Sequence, residues 1–99
     1  SATIKARVTA ARDRQAKRFA GMQIRTNKEM NVKQVDELCP LDEASKKILR
    51  QAVERLGLSA RSYHRTIKVA RTIADLADED AISASHVAEA LQYRQQVVQ

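Results

Sequence analysis

The stretch Leu58-Ser59-Ala60-Arg61-Ser62-Tyr63-His64-Arg65 puts a cation where helix electrostatics disfavour one. Ser59 has the side chain of an N-cap, whose hydroxyl accepts an otherwise unpaired backbone N–H, and Leu58 and Tyr63 stand at the spacing of a hydrophobic staple. A helix therefore starts at Ala60. Arg61 falls in its first turn, where the helix dipole presents partial positive charge, so a cation there costs stability unless an anion receives it. An arginine in that place points to phosphate chemistry; the plainer reading is a solvated charge at a helix start.

Other groups carry less. Arg65, Lys68 and Arg71 continue the same face and read as solvated charges or as contacts to a neighbouring subunit, a phosphate or DNA, with Arg71 and Asp75 at the i,i+4 spacing of an exposed pair. Lys5, Arg7, Arg12, Arg14, Lys17 and Arg18 form a basic cluster that fits nucleic acid, an acidic protein surface or a solvated helix face. The net charge of +6 is uneven: residues 1–34 hold nine Lys and Arg against Asp13 and Glu29. His64 and His86 lack companions at metal-ligand spacing, so no metal site is expected. Cys39 is the single cysteine, which excludes an intrachain disulfide; it precedes Pro40 in apolar surroundings and reads as an inert buried thiol. Tyr63 and Tyr93 read as packing residues, since basic and aromatic residues are not interleaved as single-strand binders require. No Ser/His/Asp or Cys/His constellation is present.

The elements that position these groups are helical. A first helix over about Thr3 to Ala20 has a narrow apolar stripe of Ile4, Val8, Ala11 and Phe19 flanked by basic residues, so it should lie across the surface or bridge to another part of a longer protein, as the least autonomous element. Residues 21–31 read as a loop containing a short helical turn. Asn31 caps a short helix through Val32, Val35 and Leu38, ended at Cys39-Pro40 because the residue before proline avoids helical geometry. Asp42 caps a third helix, stopped by Gly57 with Leu58 folding back toward Val53 as in a Schellman motif. The fourth helix, about Ala60 to Ala77, spreads apolar residues over more than half its circumference and should be central, its charges confined to the remaining arc. After the acidic turn Asp78-Glu79-Asp80, Ser83 caps a last helix, with Ile82 and Val87 as a staple and Val87, Ala90 and Leu91 facing the core. The 99 residues form one domain, an all-α bundle of four or five helices.

The run from Arg61 to Leu76, with Ile82-Ser83, His86-Val87 and Glu89-Ala90-Leu91-Gln92-Tyr93-Arg94, closely resembles the C-terminal helical lid of magnesium-chelatase-like AAA+ ATPases, in particular the ComM/YifB competence group. The likeness extends from about Val8 onward. It implies that Arg61 stands at the sensor-2 arginine, whose guanidinium reaches the terminal phosphate of ATP held in cis or by a neighbouring subunit. It further implies ATP with magnesium as cofactor of the longer protein, partnership with the AAA+ core, a hexameric ring, and DNA processing in natural transformation. The chain begins with Ser1, as expected of a piece excised from a longer protein. It has no G-x-x-x-x-G-K-[ST] loop, having only Gly21 and Gly57, and no strand ending in acidic residues, so hydrolysis by this chain alone is not expected. An independent basic DNA-binding module and a pure protein-interaction bundle are the competing functions. With one free thiol and no apolar run near the roughly 20 residues that cross a bilayer, a cytoplasmic protein without a membrane partner is expected.

Overall fold

A computed structural model describes residues 2–98, with side chains through Tyr93. Five helices follow in order: α1 (Ala2–Arg18), α2 (Val32–Leu38), α3 (Glu43–Leu56), α4 (Ala60–Leu76) and α5 (Ala84–Val98), with a single 3₁₀ turn (Asn27–Glu29) between α1 and α2. The all-α bundle expected from the helical periodicities is what the chain forms. The loops entering α3 and α5 meet in one parallel bridge between Leu41 and Ile82. No described helix is long and apolar enough to cross a membrane.

Helix ends follow the side chains that satisfy them. Asn31 and Gln34 make a reciprocal capping box on α2, with Oδ1 accepting the Gln34 N–H at 2.8 Å and Oε1 accepting the Asn31 N–H at 2.9 Å. Asp42 Oδ1 accepts the Ser45 N–H at 2.7 Å and opens α3. Gly57, left-handed at φ 64°, donates its N–H to Val53 O at 3.0 Å. This is the single-bond left-handed cap; the Schellman motif expected here lies at the other end of the next helix. There Glu79 N–H reaches Ala74 O at 2.9 Å and Asp78 N–H reaches Asp75 O at 3.1 Å, with Asp78 itself left-handed at φ 59°. Aspartate tolerates that backbone better than most residues, and Arg14 holds it there.

Helix α4 is central as expected, packing against α5, α1, α2 and the 3₁₀ turn, while α3 packs on α5. The core gathers Phe19, Met30, Val35, Leu49, Ile67, Ile82 and Val87. Helix α1 lies across the surface, as its narrow stripe implies. Of its stripe only Ala11 and, just past its end, Phe19 are buried; Ile4 is 61% exposed and Val8 37%. Its hold on the bundle comes largely from arginines. Arg7 Nε donates to Leu76 O at 3.2 Å, and Arg14 donates to Asp78 Oδ1 at 2.9 Å, Asp80 Oδ1 at 2.6 Å and Asp78 O at 3.0 Å.

The third arginine enters the interior. Arg18 Nη2 and Nη1 clasp Asp75 Oδ1 and Oδ2 at 2.7 and 2.9 Å, a bidentate pair whose carboxylate side chain is 0% exposed. Arg71 Nε donates to the same Oδ1 at 3.1 Å, and its Nη1 and Nη2 reach the carbonyls of Asp80 and Glu79 at 2.8 and 2.7 Å. Arg71 and Asp75 are thus not an exposed pair: α1 and the 3₁₀ turn cover the arc of α4 on which they lie. Asn27 completes the cluster, donating from Nδ2 to Asp75 Oδ2 at 2.9 Å and to Thr72 Oγ1 at 3.0 Å, and accepting from Arg18 Nη1 at 2.8 Å.

Burial alone would raise the Asp75 carboxyl, but hydrogen bonds from Arg18 and Asn27 and the charges of Arg71 and Arg18 outweigh it and hold the group below the ordinary 3.8. Removing the carboxylate leaves two inward-facing guanidiniums uncompensated, so Asp75→Ala should destabilise the fold by about 3–5 kcal/mol in chemical denaturation. Asp80, held low by its hydrogen bond and charge contact with Arg14, shifts in the same direction. Both contributions are present above the ordinary aspartate value and disappear as pH falls through the depressed ones. Denaturation midpoints should therefore drop in strong acid, and less so in Asp75→Ala, which a pH series of unfolding curves would reveal.

Candidate functional site

The first turn of α4 forms as its sequence requires. Ser59 is extended, its Oγ accepts the Ser62 N–H at 3.1 Å, and the Tyr63 N–H reaches Ser59 O at 2.9 Å. Leu58 is buried and Tyr63 packs at the edge of the core, which anchors the helix start. Arg61 is exposed in this turn. His64 donates from Nδ1 to Ala60 O at 2.8 Å, since a carbonyl can only accept. Its ring meets Tyr63 edge-on with centroids 5.2 Å apart.

Arg61 lies on a groove of about 1160 Å³ between the N-terminal half of α4 and the segment from Lys28 to Val32. Four cations line it, namely Lys28, Arg61, Arg65 and Lys68, together with His64 and the apolar Val32 and Val69. No carboxylate does. Lys68 Nζ donates to Lys28 O at 3.2 Å and ties the two walls together. An anion entering here would meet positive charge from side chains and helix dipole without a competing acidic group.

The expected site residues divide into three sets. Arg61, Arg65 and Lys68 share the groove. Lys5, Arg12 and Lys17 are exposed on α1 away from it, and Arg7 is exposed there with its Nε on Leu76 O. Arg14 and Arg18 are paired within the chain, at 25% and 14% side-chain exposure, the first with Asp78 and Asp80 and the second with Asp75. Lys28 was not among the expected residues. Nothing in its spacing connects it to a helix forty positions later; only the position of the 3₁₀ turn does.

Of the remaining groups, His86 is a helix-start residue but a buried one. Its Nδ1 accepts the Ser83 N–H at 2.9 Å, and its Nε2 faces Glu79 Oε2 at 3.6 Å. Cys39 is buried, and loss of solvent pushes its thiol up, as expected of an inert cysteine. Tyr93 is half exposed.

Residues 1–94 match the family described as magnesium chelatase, subunit ChlI C-terminal. The chain is 42% identical over 97 residues to the competence protein ComM of Haemophilus influenzae, covering 98% of this chain and 18% of that protein. It is 42% identical over 94 residues to the uncharacterized protein YifB of Escherichia coli, covering 95% and 18%, and 40% identical to YifB of Salmonella typhimurium over the same shares. The chain thus spans 18% of the length of the relatives it matches.

Because Arg61 opposes the dipole of its own helix, replacing it should not weaken the fold. Arg61→Glu is expected to stabilise the fold by about 0.3–1 kcal/mol at low salt, whereas Ser59→Ala removes the cap and should cost about 1 kcal/mol. Paired denaturation curves of the two variants would show the opposite signs.

Proposed function

Since this chain belongs to the magnesium chelatase ChlI C-terminal family, we propose that it is the lid of a magnesium-chelatase-like AAA+ ATPase and that Arg61 is its sensor-2 arginine. The observation that carries the proposal is an exposed arginine at the dipole-disfavoured start of the central helix, in a groove lined by cations and free of carboxylates. A guanidinium offers planar donors and permanent charge, which suits the outermost phosphate of a nucleotide. ATP supplies the phosphoanhydride and the concentrated negative charge. The protein's part is to bind that charge, orient it and change lid position when it is lost.

The groove does not suit magnesium, which takes oxygen ligands and prefers carboxylates and phosphates. We therefore place the metal on the AAA+ core and on the nucleotide's own oxygens. The core, and neighbouring subunits of a hexameric ring, are the proposed partners. Likeness to a competence protein extends the proposal to a parent protein that handles DNA during transformation. A free-standing DNA-binding module has less support, because Arg14 and Arg18 of the basic cluster are paired inside the fold.

In the protein joined to its core, Arg61→Ala should lower ATP turnover about tenfold or more, as expected when a charge-stabilising phosphate contact is removed. The circular dichroism of the lid should stay unchanged. Unaltered turnover would remove the sensor role.

A further inference from the structure

We infer that Lys28 is a further phosphate-binding residue of this groove and that α1 sets its place through Asn27, so that phosphate binding and the docking of α1 are coupled. The inference rests on reading the groove as a nucleotide-phosphate site.

Lys28 sits in the 3₁₀ turn, exposed, on the wall facing Arg61, Arg65 and Lys68. The acid beside it is occupied elsewhere: the Glu29 carboxylate accepts the Arg25 N–H at 3.0 Å and the Thr26 hydroxyl at 3.4 Å, and does not line the groove. Lys28 is therefore the charge this turn offers to an anion. Its carbonyl also receives Lys68 Nζ, so a shift of the turn moves a cation on each wall.

So short a turn has little stability of its own and keeps its place only through outside partners. Asn27 supplies them. It is 1% exposed, and α1 holds it twice: its backbone N–H donates to Gln15 Oε1 at 3.0 Å and its Oδ1 accepts from Arg18 Nη1 at 2.8 Å. Helix α4 holds it twice more, through Thr72 and Asp75. If α1 undocks, half of these bonds are lost and the Lys28 wall is released. Coupling of this kind is reciprocal, so a phosphate bridging Lys28 and the α4 cations should also tighten α1.

The test uses the full-length protein and inorganic tripolyphosphate as probe, followed by calorimetry. Lys28→Ala should weaken binding about threefold, as for a partly solvated charge contact. Gln15→Ala alters a partly exposed side chain that does not line the groove, yet should also weaken binding. If Gln15 acts through Lys28, the double variant binds no more weakly than Lys28→Ala alone. Losses that multiply, or unchanged binding by Lys28→Ala, would overturn the inference. Hydrogen exchange gives the reciprocal reading: the probe should raise protection across α1 in the parent and not in Lys28→Ala, and no rise in the parent overturns the coupling. Arg61→Ala separates the two proposals. If it binds normally while Lys28→Ala does not, the sensor assignment fails and the role of Lys28 stands.

Discussion

A single buried carboxylate organises this domain. Asp75 receives Arg18 from α1, Arg71 from its own helix and Asn27 from the 3₁₀ turn. Taking such charges out of water is costly, and the cost is met only when nearly every donor and acceptor finds a partner. Here the accounting closes locally. Arg71 spends its other donors on the carbonyls of Glu79 and Asp80, Asn27 uses both ends of its amide, and Arg14 covers Asp78 and Asp80. Three arginines thus stand among three aspartates. Burial, with the charge of Arg18 beside it, lowers the Arg71 pKa against the opposing pull of Asp75, yet a guanidinium stays charged throughout.

The dependence of α1 on this cluster follows from how little apolar surface it buries. Ala11 and Phe19 are its only buried apolar contributions among the described residues, too few to dock a helix of 17 residues by hydrophobic burial alone. Arg7, Arg14 and Arg18, spaced so that they share one side of the helix, replace a hydrophobic seam with bonds to the end of α4. Those at the surface are screened by salt, while the Arg18–Asp75 pair is shielded. The docked helix therefore has a firm end at Arg18 and a looser end at Ala2. Because Asn27 hangs from the firm end, the groove wall that carries Lys28 inherits its position from the part of α1 that is best held.

Local chemistry made much of this legible in the sequence. The caps at Asn31, Asp42 and Ser59 form as read, because an N-cap depends on residues within one turn. The central place of α4 was also readable, since apolar residues over more than half a helix demand partners on several sides. The arc opposite them is buried where the spacing implies an exposed pair. A helical wheel gives the direction of Arg71 and Asp75 but not what covers them, and α1 lies almost sixty residues away in sequence. The same blindness hid Asn27 and Lys28. Glycine was also too strong a signal: Gly57 takes the simpler cap, while the Schellman motif settles on Asp78, whose left-handed backbone is held by an arginine from another helix. At the groove, Arg61, Arg65 and Lys68 were legible from their spacing on one helix face, and their convergence with the 3₁₀ turn was not.

Helix α4 uses cations oppositely at its two ends. At the C-terminus, Arg7 and Arg14 donate to carbonyls of Leu76 and Asp78, where the dipole is negative and cations stabilise. At the N-terminus stands Arg61, where the same dipole is positive. Neither end holds its charges by accident of composition, because carboxylates cluster at the first end and are absent from the groove at the second. A fold shaped by stability alone would place an acid in that first turn. The molecule instead lines its groove with Lys28, Arg61, Arg65 and Lys68 and no carboxylate, and the proposed lid role is the reading that would supply the opposing charge from a nucleotide phosphate.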